Sequence, residues 1–173
     1  MRQSGRRAVL SIGVTIIVLF AAQSTAIASS PSVSGGGVVD GALGTTSQLG
    51  FNASSAGGQF LCVMAGRSGG FQFGPWDSIQ QMRVEGPVEP ASLSVSGGVA
   101  SFSGTATVHV VGRTVTGDVM TATVTVSYTS RQTAGGAGVA THRLEVTFQD
   151  GSHVSFPGLG MEPLRSGHIT INP

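Results

Sequence analysis

The chain has 173 residues, with nine basic residues (all arginine), eight acidic residues and one cysteine. Three of the arginines lie in the first seven residues, so the part after Ala28 keeps six arginines against eight acids, a net charge of −2. Such a weakly acidic chain lacks the basic surface that nucleic acids or anionic membranes require. A single cysteine also excludes an intramolecular disulfide.

Residues 1–28 have the composition of a secretory signal peptide. The arginines are followed by an uncharged apolar run over residues 8–22 and by the small-x-small sequence Ala26-Ile27-Ala28. This order predicts cleavage between Ala28 and Ser29. The alternative is a transmembrane anchor, but the run is shorter than the roughly 20 residues that a spanning helix needs. We therefore expect a secreted, periplasmic or cell-envelope protein without a membrane span after processing, by the Sec or the twin-arginine route.

The next segment, residues 29–37, is uncharged and rich in serine and glycine. Its composition predicts a flexible leader between the cleavage site and the fold. Residues 38–173 contain no second linker and have a length that suits one domain with its own core.

The domain alternates apolar and polar residues with a period of two, which predicts β-strands. The long alternating runs are Val99–Val111, Val119–Thr129 and His142–Gln149. Shorter candidate strands lie at residues 48–53, 59–65, 79–85, 91–96, 153–156 and 168–172.

Turn residues separate these runs, and no helical period occurs after the signal peptide. Asp150-Gly151 predicts a tight hairpin, and the pairs Gly57-Gly58, Gly97-Gly98 and Gly135-Gly136 predict further turns. Closely spaced strands without intervening helices pair antiparallel. The sequence therefore predicts an all-β domain, an antiparallel β-sandwich of about eight to nine strands, with a flattened β-barrel as the alternative.

One serine lies in a pattern known from hydrolases. Residues 66–70 match G-x-S-x-G around Ser68, a motif that needs a strand, a sharp turn and a helix. The residues that follow, Phe71 to Trp76, are interrupted by glycine and proline and do not predict a helix. An exported hydrolase would use Ser68 with Asp118 and either His142 or His153, and the alternative is a glycine-rich connection between strands.

The sequence predicts no cofactor and no metal site. The four histidines (His109, His142, His153, His168) stand singly, without the local spacing of metal ligands. His142 shares the parity of the apolar positions of its strand, which predicts a half-buried, hydrogen-bonded side chain. Cys62 lies in an apolar run and is expected to be a buried small hydrophobe, although a reactive or intermolecular thiol is the alternative.

Three aromatic residues, Phe71, Phe73 and Trp76, lie close together among glycine and proline. One hypothesis is an exposed platform that binds a ligand, glycan or partner. The other is that the rings fold back and close one end of the domain, in which case the buried indole N–H needs an acceptor.

Several segments resemble a group of secreted bacterial β domains described as post-COAP-1-like. The resemblance rests on residues 50–53 (GFNA), 100–108 (ASFSGTATV) and 167–171 (GHITI), within residues 35 to 172. Residues 121–129 depart from the group because they lack its Asp-rich continuation and D-N-G-type turn. The resemblance implies an exported β-sandwich module and transfers no catalytic residue.

These observations favour an exported module with a binding or structural role, whose partner is a protein, a glycan or an envelope component. The sequence leaves its oligomeric state open. Two alternatives remain: the hydrolase based on Ser68, and a carrier that holds a small apolar ligand inside a barrel.

Overall fold

The computed structural model describes residues 30–41, 45–68, 76–149, 153–156 and 161–173. They form eleven β-strands and no helix, so the prediction of an all-β domain is confirmed. The strands are β1 (Ser32–Asp40), β2 (Thr46–Ser54), β3 (Gly57–Ser68), β4 (Ser78–Val88), β5 (Ser94–Ser96), β6 (Val99–Arg113), β7 (Val119–Thr133), β8 (Gly135–Gly136), β9 (Thr141–Thr147), β10 (His153–Phe156) and β11 (Glu162–Asn172). No described segment is a helix long and apolar enough to cross a membrane.

The longest strands are those with the clearest sequence alternation. β6 buries every second residue along its length, and β7 does so in its second half. The inward positions carry apolar residues and glycine, apart from Ser130 and Gln132 of β7. Most outward positions of the two strands carry Thr or Ser, and β-branched residues such as Thr favour a half-buried sheet. At the β5–β6 turn, Gly97 and Gly98 both have positive φ, as their tight hairpin requires.

All the strands belong to one antiparallel sheet in the order β10-β9-β7-β6-β4-β3-β2-β1-β11-β8, with β5 beside β6. β9 also pairs with β11, through Glu162 opposite His142 and Pro163 opposite Thr141. The path from β9 through β7, β6, β4, β3, β2, β1 and β11 therefore returns to β9. The sheet wraps around a single core, so that distant strands face each other.

Aromatic rings from facing strands meet in that core. Phe51 of β2 lies 5.5 Å from Phe102 of β6, and Phe60 of β3 lies 4.9 Å from Tyr128 of β7, measured between ring centroids. In each pair the two strands are three steps apart in the sheet order, so these contacts cross the interior. Each buried ring contributes roughly 2 to 3 kcal/mol by leaving water, and ring pairing adds to that figure.

Tyr128 depends on a glycine in the neighbouring strand. A Cβ on Gly104 would lie 2.9 Å from Tyr128 Cε1 and 2.2 Å from the Pro87 carbonyl oxygen. The phenol donates a hydrogen bond of 3.0 Å to that same oxygen. Burial, and then the negative charge of Glu89, raise the pKa of Tyr128, so the phenol stays protonated as the donor.

The prediction of a flexible leader over residues 29–37 is wrong from Ser32 onwards, because β1 begins there and pairs with both β2 and β11. The reason is steric. A Cβ would lie 2.5 Å from the His168 carbonyl oxygen at Gly35 and 2.1 Å from the Ser166 carbonyl oxygen at Gly37. The glycines therefore let β11 approach β1 closely, and they do not mark a linker.

The predicted strand over residues 91–96 is shorter in the structure and begins at Ser94. Ala91 has a φ of 61°, in the left-handed region that ends extended backbone. The Ser92 hydroxyl donates to the carbonyl oxygens of Glu89 and Ser103, at 2.7 and 3.0 Å. Side-chain-to-backbone bonds of this kind stabilise a turn instead of a strand.

Candidate functional site

Trp76 is a core residue with 5% of its surface exposed. Its indole nitrogen donates to the Met120 carbonyl oxygen at 3.2 Å. A Cβ on Gly112 would lie only 2.4 Å from Trp76 Cδ1, so the ring occupies the space that this glycine leaves. The indole therefore closes the core beside the β6–β7 turn and is no part of an exposed platform.

The other two platform residues, Phe71 and Phe73, lie outside the described residues, and so does the signal cleavage site at Ala28 and Ser29. The platform formed by the two phenylalanines and the cleavage of the signal peptide stay predictions.

The structure separates Ser68 from the two histidines proposed as its base. His142 stacks on Phe60 of β3, with the ring centroids 6.4 Å apart. Ser68 lies eight residues further along β3, roughly 26 Å from Phe60 at about 3.3 Å per residue. His153 belongs to β10, five strands from β3 in the sheet order.

Asp118 lies in the β6–β7 turn and is exposed, and its carboxylate accepts a hydrogen bond of 2.7 Å from the Thr116 hydroxyl. The strand positions therefore do not bring Ser68 together with His142 or His153.

Cys62 is buried in β3, as predicted. Burial raises the pKa of its thiol to about 12, with the hydroxyl of Ser47 acting weakly in the opposite direction. At neutral pH the side chain is a protonated thiol without access to solvent. A small hydrophobe, not a nucleophile, therefore occupies this position.

Three polar side chains lie inside the core at the level of Ala100: Ser130, Gln132 and His142. The Gln132 amide nitrogen donates to the Ser130 hydroxyl. The amide oxygen of Gln132 and both ring nitrogens of His142 are buried without a hydrogen-bond partner among the described residues.

The prediction of a half-buried, hydrogen-bonded His142 is wrong, because the residue is only 1% exposed. Its parity on β9 points the ring inward, and the pairing with Glu162 of β11 covers this end of the sheet. The ring stacks on Phe51 and Phe60, at centroid distances of 6.5 and 6.4 Å. Burial lowers the pKa of His142 to about 3, so the imidazole is neutral at physiological pH.

A groove of about 520 Å³ lies on the outer face of the sheet across β2, β3 and β4. It forms where outward residues alternate with the buried residues Phe51 and Phe60. A Cβ on Gly50 would meet no atom within 4 Å, so this glycine opens the floor. The groove is lined by Gly50, Phe51, Asn52, Gln59, Phe60, Leu61, Glu85 and Gly86.

Strand register brings the outward side chains of the groove together. Asn52 is opposite Gln59, and Leu61 is opposite both Gly50 and Glu85. Asn52 Oδ1 accepts a hydrogen bond of 2.7 Å from the Gln59 backbone N–H. Leu61 is one of the few large apolar side chains on the described surface, at 36% exposure. The groove therefore combines amide, carboxylate and aliphatic groups in one place.

Glu85 connects the groove with a polar chain on the same face. Arg83 Nη2 bonds to Glu85 Oε2, and His109 Nε2 lies 3.7 Å from Glu85 Oε1. His109 Nδ1 and Thr123 Oγ1 are 3.0 Å apart. Thr123, His109 and Glu85 stand in the order of a nucleophile, a base and an orienting acid. His109 and Glu85 are 46% and 38% exposed, however, so water screens the interaction between them. The contacts with Arg83 and His109 hold the Glu85 carboxylate in position.

Among the described residues, no group of three His, Cys, Asp or Glu side chains is arranged to hold a metal ion.

The sequence did not reveal the groove, because its residues come from three strands whose register cannot be deduced from composition. One signal was present: the turn at Ser55 and Ala56, followed by a Gly57 with positive φ, closes a tight hairpin. Counting back from it places Asn52 opposite Gln59, which would have identified one wall.

No protein-family model, curated protein or solved structure matches the chain.

Proposed function

We propose that the chain is an exported, non-catalytic β module that binds a component of the cell envelope or a molecule outside the cell. The observation that carries this proposal is the groove over Gly50, where convergent polar groups surround a concave surface. A concave site with a few placed polar groups is the usual form of a ligand site.

The placement of the candidate catalytic residues supports binding over hydrolysis. Ser68 lies eight residues along β3 from Phe60, the residue on which His142 stacks, and His142 is buried and neutral. A nucleophile and its base must come within hydrogen-bond reach for activation.

The packing of the interior supports the same choice over the carrier alternative. Rings from Phe51, Phe60, Phe102 and Tyr128 fill the space between the facing strands, at centroid distances of 4.9 to 6.4 Å. A carrier needs an internal cavity of several hundred Å³ at this position.

The export part of the proposal is supported by the order of arginines, apolar run and small residues in residues 1–28. The resemblance to post-COAP-1-like secreted domains implies an exported module and so supports a location at the envelope or outside the cell. We propose cleavage between Ala28 and Ser29 and a role at the envelope or outside the cell.

Fractionation of the native host followed by crosslinking tests this function. We expect the processed chain, starting at Ser29, in the envelope or the medium, crosslinked to one component. Gly50→Val fills the groove floor and should abolish that crosslink. Gln48→Val is the matched control, because Gln48 lies outward on the same strand but does not line the groove.

The full-length chain in the cytoplasm would overturn the export claim. An unchanged crosslink in Gly50→Val would overturn the claim that the groove is the binding surface. A crosslink lost equally in Gly50→Val and Gln48→Val would also contradict it, because the loss would then not depend on the groove.

A further inference from the structure

The groove carries almost no net charge. Of the described residues, Glu85 is the only charged one that lines it, and its Oε2 is already bound by Arg83. His109 approaches the other carboxylate oxygen from β6. A phosphate or carboxylate ligand would find no free cation among the lining residues, and a cationic ligand would compete with Arg83 for Glu85. The charge distribution therefore disfavours ionic ligands of both signs.

The hydrogen-bonding groups of the groove include both donors and acceptors. Because Asn52 Oδ1 accepts from the Gln59 backbone N–H, the Asn52 amide nitrogen keeps its two hydrogens for a ligand. The exposed Gln59 amide offers a donor and an acceptor, and Glu85 Oε1 offers an acceptor. Ligands with hydroxyl groups, which donate and accept at once, match such a set.

The remaining surface of the groove is apolar or flat. The Leu61 side chain is 36% exposed and lies opposite Gly50 and Glu85. The open space over Gly50 gives a ligand access to the backbone. A sugar ring presents hydroxyls along its edge and C–H groups on its face. The hydroxyls of a sugar ring can therefore bond to the amides of the groove, and its C–H face can lie against the aliphatic side chain.

We infer that the groove binds a neutral, polyhydroxylated ligand of the saccharide class; this rests on the proposed function. Asn52, Gln59 and Glu85 bond to the hydroxyls, and Leu61 packs against the C–H face. Because the ligand carries no charge, its affinity is insensitive to salt, unlike that of an ionic ligand.

Calorimetric titration of the full chain tests the inference. The probes are neutral oligosaccharides of glucose, xylose, mannose, arabinose and N-acetylglucosamine, and the charged comparison is dextran sulfate against dextran. We expect binding of at least one neutral probe, with less than about a twofold change in affinity between low and high salt. Gly50→Val should weaken it at least about tenfold, and Gln48→Val should leave it unchanged.

A second arm separates sources of the same chemistry: sedimentation with insoluble neutral cell-wall polysaccharide reports a polymer, and titration reports a free oligosaccharide. Failure of every neutral probe in both arms, or preference for dextran sulfate, overturns the saccharide inference. If the envelope crosslink is still lost in Gly50→Val, the proposed function survives that failure. If the crosslink persists in Gly50→Val, the proposed function itself fails.

Discussion

At the scale of single residues, His142 is the side chain whose environment departs most from its chemistry. The imidazole stacks on Phe51 and Phe60, and within the described part of the chain neither of its nitrogens nor the amide oxygen of the neighbouring Gln132 has a hydrogen-bond partner. Each buried polar atom left without a partner costs about 1 to 3 kcal/mol. Stacking on Phe51 and Phe60 and the pairing of β9 with β11, which closes the sheet, are at the same position and offset this cost.

The pH dependence of stability follows from this burial. The pKa of His142 is about 3 in the folded state and 6.5 when unperturbed, so the unfolded chain binds the proton first as pH falls. The contribution of His142 to the free energy of unfolding is therefore fully present above pH 6.5. It is lost as the pH falls towards 3, at up to about 1.4 kcal/mol per pH unit. His142→Leu should remove this slope and raise the free energy of unfolding near neutral pH by about 1 kcal/mol.

Urea unfolding at about pH 7 and about pH 4.5 measures both effects. His109→Leu is the matched control, because His109 is exposed on the outer face and should keep the slope of the wild type. If His142→Leu loses as much stability on acidification as the wild type does, His142 is not the group responsible.

At the scale of the strands, alternation predicted most of the fold. Residues 99–111, 119–129 and 142–149 predicted β6, β7 and β9 to within a few residues, because their inward and outward faces differ in polarity. β1 was missed because three consecutive glycines carry no polarity. Their role as a steric fit against β11 depends on a neighbour more than 120 residues away.

Gly37 of β1 and Gly50 of the neighbouring strand β2 have opposite roles, which a matched pair of substitutions tests. Gly37→Ala places a Cβ 2.1 Å from the Ser166 carbonyl oxygen, so we expect a loss of about 1 to 3 kcal/mol of stability. Gly50→Ala meets nothing within 4 Å and should be neutral or stabilising by up to about 0.5 kcal/mol. Chemical denaturation measures both, and equal losses would contradict the close approach of β1 and β11.

At the scale of the whole molecule, the candidate site depends on the closure of the sheet. The alternation that points Phe51 and Phe60 inward also points Asn52, Gln59 and Leu61 outward, and the facing strands hold the rings in place. Sequence alone predicted the strands of the groove but not the groove. Its residues meet only through the pairing of β2, β3 and β4, and the closure depends on two residue pairs between β9 and β11.

Nuclear Overhauser contacts between aromatic side chains of distant strands test the closure of the sheet around one core. If the sheet closes as described, cross-peaks join the His142 ring to Phe51 and Phe60, and Phe51 to Phe102. Cross-peaks from Phe51 and Phe60 only to residues of adjacent strands would show that the strands do not face each other, and would contradict that closure.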